Sequence, residues 1–306
     1  MASGYPSRLC CDPGCDERGR YDAVVRPSHL DEVSPERARR ARRNLIPIVG
    51  GQAISLFGDY IAFFTLPYFM LSLTGEAVDL GLTAAAETLP MILFGLAAGV
   101  FLDRRRRLGT TLIVVDLVRA LAFVGLAAAA AADLGSPLLV FSVAFIVGSM
   151  AVLFDSGLQS WMTRSLLEED LVRANAQMGL ARTITLSVGP LAGGIIVALA
   201  GGFAVAFALN AITFVVSAIM LALIRPIHDR PNIQHEPFGS AIRSGLAILW
   251  SDRRLRWGTI GGTITNFVFQ PLEALLVLFV ATEVLGITTM EQAITEEGAA
   301  LGLFFA

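Results

Sequence analysis

From Asn44 onward the chain alternates long apolar runs with short polar breaks. The runs cover roughly 44–73, 79–102, 110–132, 137–162, 174–200, 203–224 and 256–282. A helix rises 1.5 Å per residue, so each run is long enough to cross ~30 Å of hydrocarbon. An eighth run begins near Gly298 and stops at Ala306, too short to span. The pattern predicts an all-α membrane protein. Thr74–Gly75–Glu76 and Asp133–Leu134–Gly135–Ser136–Pro137 read as turns between spans, and Ala200–Gly201–Gly202 leaves almost no loop at all. Residues 1–43 are polar, without an apolar period, and are expected to form a disordered cytoplasmic tail. No apolar segment of the kind found in a signal peptide follows Met1.

Charge placement adds orientation. Arginines gather before the first run (Arg39, Arg40, Arg42, Arg43), between the second and third (Arg104, Arg105, Arg106, Arg107), between the fourth and fifth (Arg164, Arg173) and after the sixth (Arg225, Arg230, Arg243, Arg253, Arg254, Arg256). The alternate loops carry Glu76, Asp79, Asp133, Glu283, Glu291, Glu296 and Glu297, and no arginine. Basic loops stay on the cytoplasmic side, so the expected topology has its amino terminus inside the cell, in the inner (plasma) membrane. The long break at 225–255 contains Ile242, Leu246, Leu249 and Trp250 on one helical face, followed by Arg253, Arg254 and Arg256. It reads as an amphipathic helix on the cytoplasmic leaflet, the alternative being a plain linker.

Composition agrees: 55% of residues are hydrophobic and only 16% charged, against roughly 25% charged in soluble domains. All 23 basic residues are arginine, which fits a codon bias and not a function. Cys10, Cys11 and Cys15 cluster in the tail, but no histidine close by completes a metal site, and free thiols in a polar tail are the simpler reading. No metal, cofactor or nucleic-acid partner is expected.

Two motifs point to a family. Gly99–Val–Phe–Leu–Asp103–Arg104–Arg105–Arg106–Arg107 resembles the loop between the second and third helices of the major facilitator superfamily. There a small residue admits close helix packing and an aspartate at the membrane edge takes part in the conformational switch. Arginine stands where the family places glycine between the basic residues. Gly189–Pro190–Leu191–Ala192–Gly193–Gly194, in the fifth helix, resembles the Gly-Pro-x-x-Gly-Gly motif of its drug/proton antiporters. Proline weakens the helix and the glycines open a packing face. Ser55–Leu–Phe–Gly58–Asp59, Asp116–Leu–Val–Arg119, Phe154–Asp155, Arg173–Ala–Asn175 and Asn210–Ala–Ile–Thr213–Phe214 are similar to the macrolide-efflux and siderophore-exporter branch. The resemblance covers roughly 44–306 and implies a six-helix bundle at 44–224, a central loop at 225–255, and the start of a second bundle at 256–306, incomplete relative to a twelve-helix fold.

Ionisable residues inside a span are costly and mark function by default. Asp59 and Glu87 are candidates for proton coupling or for contact with a cationic drug, the alternative for Asp59 being a hydrogen bond within its own bundle. Asp116, Arg119, Asp155 and Arg182 are expected to form an ion-pair network with a structural or gating role; Asp116 and Arg119 share a helix face. Asn266 and Glu273 flank Pro271 in the seventh run, either beside the central cavity or, for Glu273, at the outer surface. Phe57, Phe63, Phe64 and Phe69 could line a pocket or face lipid.

Three function classes follow. The first is secondary active export of hydrophobic small molecules by proton antiport, with a substrate site near the midplane between two halves. The second is a non-transporting fragment of such an exporter. The third, a membrane enzyme, finds no histidine cluster, no cysteine within the helices and no Gly-x-x-x-x-Gly-Lys-[Ser/Thr] loop; His228 and His235 sit in the polar central loop.

Overall fold

The computed structural model describes residues 34–103, 105, 107–199, 202–227 and 238–265. It divides into two units, Met1–Arg39 and Arg40–Ala306. Of the first, the described part is the opening of helix α1; all packing below belongs to the second.

The described helices run α1 Pro35–Thr74, α2 Ala77–Asp103, α3 Leu108–Ala131, α4 Pro137–Ser165, α5 Glu168–Leu199, α6 Phe203–Leu223 and α7 Phe238–Ser251. A further helical run, 253–265, leads into residues outside the described set. Five of them (α1, the 78–95 part of α2, α3, α4 and α6) are long and apolar enough to cross a membrane. α5 is 32 residues long but opens with Glu168, Glu169 and Asp170 and carries Arg173 and Arg182, so its apolar part is confined to its second half. The seventh span expected at 256–282 lies largely outside the described residues, as do Asn266, Glu273 and the cysteines.

The first helix starts earlier than its apolar pattern. Residues 35–43, expected as part of a disordered tail, are helical. The cause is local: Ser34 accepts the Arg37 N–H at 3.4 Å and its carbonyl accepts the Ala38 N–H at 3.1 Å. Pro35 supplies the fixed φ suited to a first helical position, and Glu36 complements the helix dipole. The alanine and arginine that follow are strong helix formers whatever their polarity.

The turns end the helices as their residues dictate. Gly75 adopts φ +72° and returns its N–H to Leu71, a left-handed cap that suits glycine. Asp133 takes φ 54° while Leu134 donates back to Ala129 at 2.9 Å. Ser136 then caps α4 by accepting the Leu139 N–H, with Pro137 at the first helical position.

Among the described helices, α3 packs most extensively on α6, α2 on α4, and α3 on α4. Side chains fill this bundle in two clusters. One holds Leu66, Phe69, Met70, Phe123, Leu126, Val140, Ala144, Phe207 and Phe214. The other holds Ile48, Leu102, Leu108, Leu112, Leu158, Trp161, Met162, Leu221 and Ile224. On each of α1, α3 and α6 a polar step separates the two: Gln52 to Asp59, Asp116 to Arg119, and Ser217. The hydrophobic core is therefore interrupted by one polar layer, and that layer holds Asp59, Asp116 and Arg119.

Candidate functional site

Arg119 is the centre of the layer. It projects from α3 and is 4% exposed. Its Nη2 reaches both carboxylate oxygens of Asp59 on α1, at 2.8 Å and 2.9 Å. Its Nη1 lies 3.6 Å from Asp116, one turn back on α3. Its guanidinium sits 4.0 Å from the centroid of Phe214 on α6 and 5.8 Å from that of Phe154 on α4. One cation thus contacts four helices. An arginine at a span centre costs roughly 3 kcal/mol even on the mildest scale. Paired hydrogen bonds to a carboxylate and an aromatic face are the interactions that offset such a cost.

The carboxylates differ in setting. Asp116 is fully buried, without a hydrogen-bond partner on either oxygen, and Ser217 of α6 stands beside it. Asp59 keeps 28% of its side chain open. Of the residues tied to Arg119 it is the one that is partly exposed. Glu87 on α2 has one carboxylate oxygen buried without a partner and lies within coulombic range of Asp59 and Arg119.

This arrangement revises the expected network. Asp116 and Arg119 do belong together. Asp155 and Arg182 are both exposed and form no ion pair among the described residues, although Asp155 lies within coulombic range of Arg119 and Arg182. Arg119 takes Asp59 as its close partner in place of Asp155, because α1 brings Asp59 to the free side of the guanidinium.

Glycines set how closely the helices approach. A Cβ on Gly58 of α1 would collide with the Thr213 hydroxyl and the Asn210 side-chain oxygen of α6. Thr213 in turn donates to the Asn210 carbonyl at 2.8 Å and side-chain oxygen at 3.1 Å. Gly58 therefore admits this polar pair beside Asp59. Seven residues earlier, a Cβ on Gly51 would lie 2.9 Å from Met220 of α6, and seven before that lies Asn44. Gly51 and Gly58 face α6, and Asn44 on the same stripe bonds Ser165 and Arg225, the latter just beyond it. On α5, a Cβ at Gly189 would lie 2.7 Å from Tyr60, and one at Gly193 would lie 3.3 Å from Thr65. These two glycines, with Pro190 between them in an unbroken helix and Gly194 half-buried, seat α5 on α1.

The expected switch loop lies between α2 and α3. Among the described residues nothing stands where a Cβ on Gly99 would go, so it does not provide the close helix approach its motif suggested, although Ala98 and Leu102 beside it are buried. Asp103 is the last residue of α2, Arg105 stacks 4.3 Å from the Phe101 ring, and Arg107 is exposed just before α3. Arg104 lies outside the described residues. Of the phenylalanines proposed for a pocket, Phe57 is exposed, whereas Phe69 is buried against Phe203 and Phe207. Among the described residues, no group of metal-ligating side chains converges.

Asn44 was legible in the sequence only as the point where apolar character begins. It is 4% exposed and uses its whole amide. Nδ2 donates to the Ser165 carbonyl at 2.9 Å and to the Arg225 carbonyl at 2.7 Å, while Oδ1 accepts the Arg225 N–H at 3.2 Å. The Ile227 N–H adds a bond to the Arg164 carbonyl at 2.9 Å. Its one signal in the sequence is the seven-residue spacing to Gly51 and Gly58.

Stacked apolar helices around a buried, internally paired cation define a multi-pass membrane protein. The model for the Major Facilitator Superfamily matches residues 48–306, and the chain belongs to that family. It is 26% identical over 263 residues to macrolide efflux protein A of Streptococcus pyogenes, covering 84% of this chain and 63% of that protein. It is 32% identical over 178 residues to the putative bacilysin exporter BacE of Bacillus amyloliquefaciens (57% and 42%) and 27% identical over 232 residues to the multidrug efflux pump Tap of Mycobacterium bovis (72% and 54%). The chain thus spans less than two thirds of the length of each of these relatives.

Proposed function

We propose that this chain forms the first half, and the start of the second, of a secondary transporter that exports hydrophobic small molecules in exchange for protons. Residues 44–224 are its first six-helix bundle, 225–255 its central loop and 256–306 the beginning of the second bundle. It lies in the plasma membrane with its amino terminus inside, a reading supported by its arginine-rich breaks. The names of its relatives, all efflux or export proteins, support the substrate class.

The observation that carries the reading is the Asp59–Arg119 pair. Asp59 alone among the groups bound to Arg119 is partly open, and both of its oxygens are engaged by one guanidinium nitrogen. A proton added to Asp59 removes the charge that holds Arg119 and leaves it facing Asp116. Protonation is thereby translated into a rearrangement between α1 and α3. Glu87, within coulombic range, is the second carboxylate through which a proton or a cationic substrate would pass. The glycines at 189 and 193 would let α1 shift against α5 while this occurs.

The test is efflux from cells carrying the full-length gene, followed with a fluorescent hydrophobic drug with and without a protonophore. Wild-type efflux should stop when the proton gradient collapses, and Asp59→Asn should abolish it in energised cells. Efflux by Asp59→Asn at the wild-type rate would remove Asp59 from the coupling step; efflux that survives the protonophore would remove the proton.

A further inference from the structure

Four arginines, Arg243, Arg253, Arg254 and Arg256, fall within fourteen residues that contain a single acid, Asp252. That acid is engaged locally: its Oδ1 accepts the N–H of Arg254 at 2.7 Å and of Leu255 at 3.3 Å, opening the helical run 253–265. Among the described residues none of the four guanidiniums pairs with a carboxylate. Arg243, Arg253 and Arg254 are exposed. Arg256 reaches back to the Trp250 carbonyl at 3.3 Å and lies 5.8 Å from the Trp257 ring, so it bridges the two helices across their joint.

The same segment exposes large apolar side chains. Trp250 and Trp257 are 59% and 58% exposed, and Leu246, Ile248 and Leu255 are open as well. In contrast, Trp161, the remaining tryptophan, is 8% exposed within the bundle. Unpaired guanidiniums interleaved with exposed indoles are poorly suited to bulk water. They suit the headgroup layer, where indole rings sit at the level of the glycerol backbone and cations meet phosphate. A nucleic acid would match the charge but not the aliphatic side chains.

We propose that the joint between α7 and the helix 253–265 is a binding site for anionic phospholipid headgroups of the cytoplasmic leaflet. Arg253, Arg254 and Arg256 hold the phosphates, and Trp250 and Trp257 set the depth. The site rests on the inside-amino-terminus orientation proposed above. Because α7 also contacts α2, an occupied site tethers the segment between the halves to the membrane surface.

The test reconstitutes the 306-residue chain, with Trp161→Phe, into vesicles of brominated phosphatidylglycerol or brominated phosphatidylcholine and reads quenching of the two joint tryptophans. Where Trp161→Phe fails to fold, the wild-type chain serves, since its buried Trp161 adds a constant background. Phosphatidylglycerol should be preferred, and each of R253Q, R254Q and R256Q should reduce that preference by about fivefold at low salt. Equal quenching by the two lipids, a preference untouched by the three substitutions, or its loss on adding inorganic phosphate at millimolar concentration would each overturn the site. Orientation is read separately, by labelling Ser251→Cys in a C10S/C11S/C15S background on intact cells with an impermeant maleimide. Labelling from outside would refute the orientation while leaving any lipid preference measurable in vesicles.

Discussion

Asn44 grips Arg225 from both sides of one residue: its amide nitrogen donates to the Arg225 carbonyl at 2.7 Å and its amide oxygen accepts the Arg225 N–H at 3.2 Å. Together with the 2.9 Å bond to Ser165, one side chain in the third turn of α1 ties the end of α4 to the residues just after α6. Asn44→Ala leaves these backbone groups without partners inside the protein, at about 1–3 kcal/mol for each that stays dry. Asn44→Asp keeps the acceptor but sets a carboxylate against two carbonyl oxygens. Both variants should unfold earlier than wild type in a mild-detergent thermal series, with the aspartate at least as damaging. A melting point unchanged by either would show that the amide does not hold this end.

Arg119 should be more important to stability than its partner. Arg119→Met strands Asp59 and Asp116, a loss of about 3–5 kcal/mol for a broken buried pair. Asp59→Asn leaves Arg119 its contacts with Asp116 and Phe214, so its loss should be smaller. Arg119→Lys should fall between, since an ammonium loses the guanidinium fork and its flat contact with the ring. A double-mutant cycle on Asp59 and Arg119, read by denaturant unfolding, should give a clear coupling energy; a zero coupling would contradict the pair.

The glycines should rank by what their Cβ meets. Gly58→Ala and Gly148→Ala run into fixed groups, Asn210 and Thr213 for the first and the Glu87 main chain for the second; both should be strongly destabilising, at about 1–3 kcal/mol or more for overpacking. Gly189→Ala should be worse than Gly193→Ala, as 2.7 Å is tighter than 3.3 Å. Gly99→Ala meets nothing among the described residues, and in a helix alanine is favoured by about 1 kcal/mol. It should be neutral or stabilising, and a large loss there would contradict the open setting of α2.

Backbone exchange should report the early start of α1. The amides of residues 39–43 should exchange with deuterium more slowly than those of an unstructured chain of the same sequence. Free exchange from Arg39 to Arg43 would return that stretch to the tail.

Much of the helix plan was readable because lipid forces apolar runs to satisfy their own backbone. The ends were less so. Residues 35–43 are polar, and a search for apolar runs passes over them, although Ser34–Pro35–Glu36 carries the helix-start signal. Of the ionic cluster, Asp116 and Arg119 were legible because three positions on a helix share a face. The bond from Arg119 to Asp59 was not, since helical spacing states which way a side chain points and not what waits opposite. The same holds for Gly58. Its motif and the Asn210–Thr213 motif were each visible, but the fit between them exists only once α1 and α6 are packed. Gly99 shows the converse: a small residue permits close packing without compelling it.

Gly148 has the Glu87 carbonyl where its own Cβ would otherwise stand, and two turns farther along α2 (one turn back along α4) Phe94 and Phe145 meet edge to face at 6.2 Å. α2 is thus keyed to α4 at two successive levels, through main chain at one and rings at the other. Neither helix can slide past the other without unseating both. The carboxylate of Glu87 is mounted on a rigid two-helix plank: it can swing about its own side-chain bonds, but it cannot be carried toward or away from Arg119 unless α2 and α4 travel together.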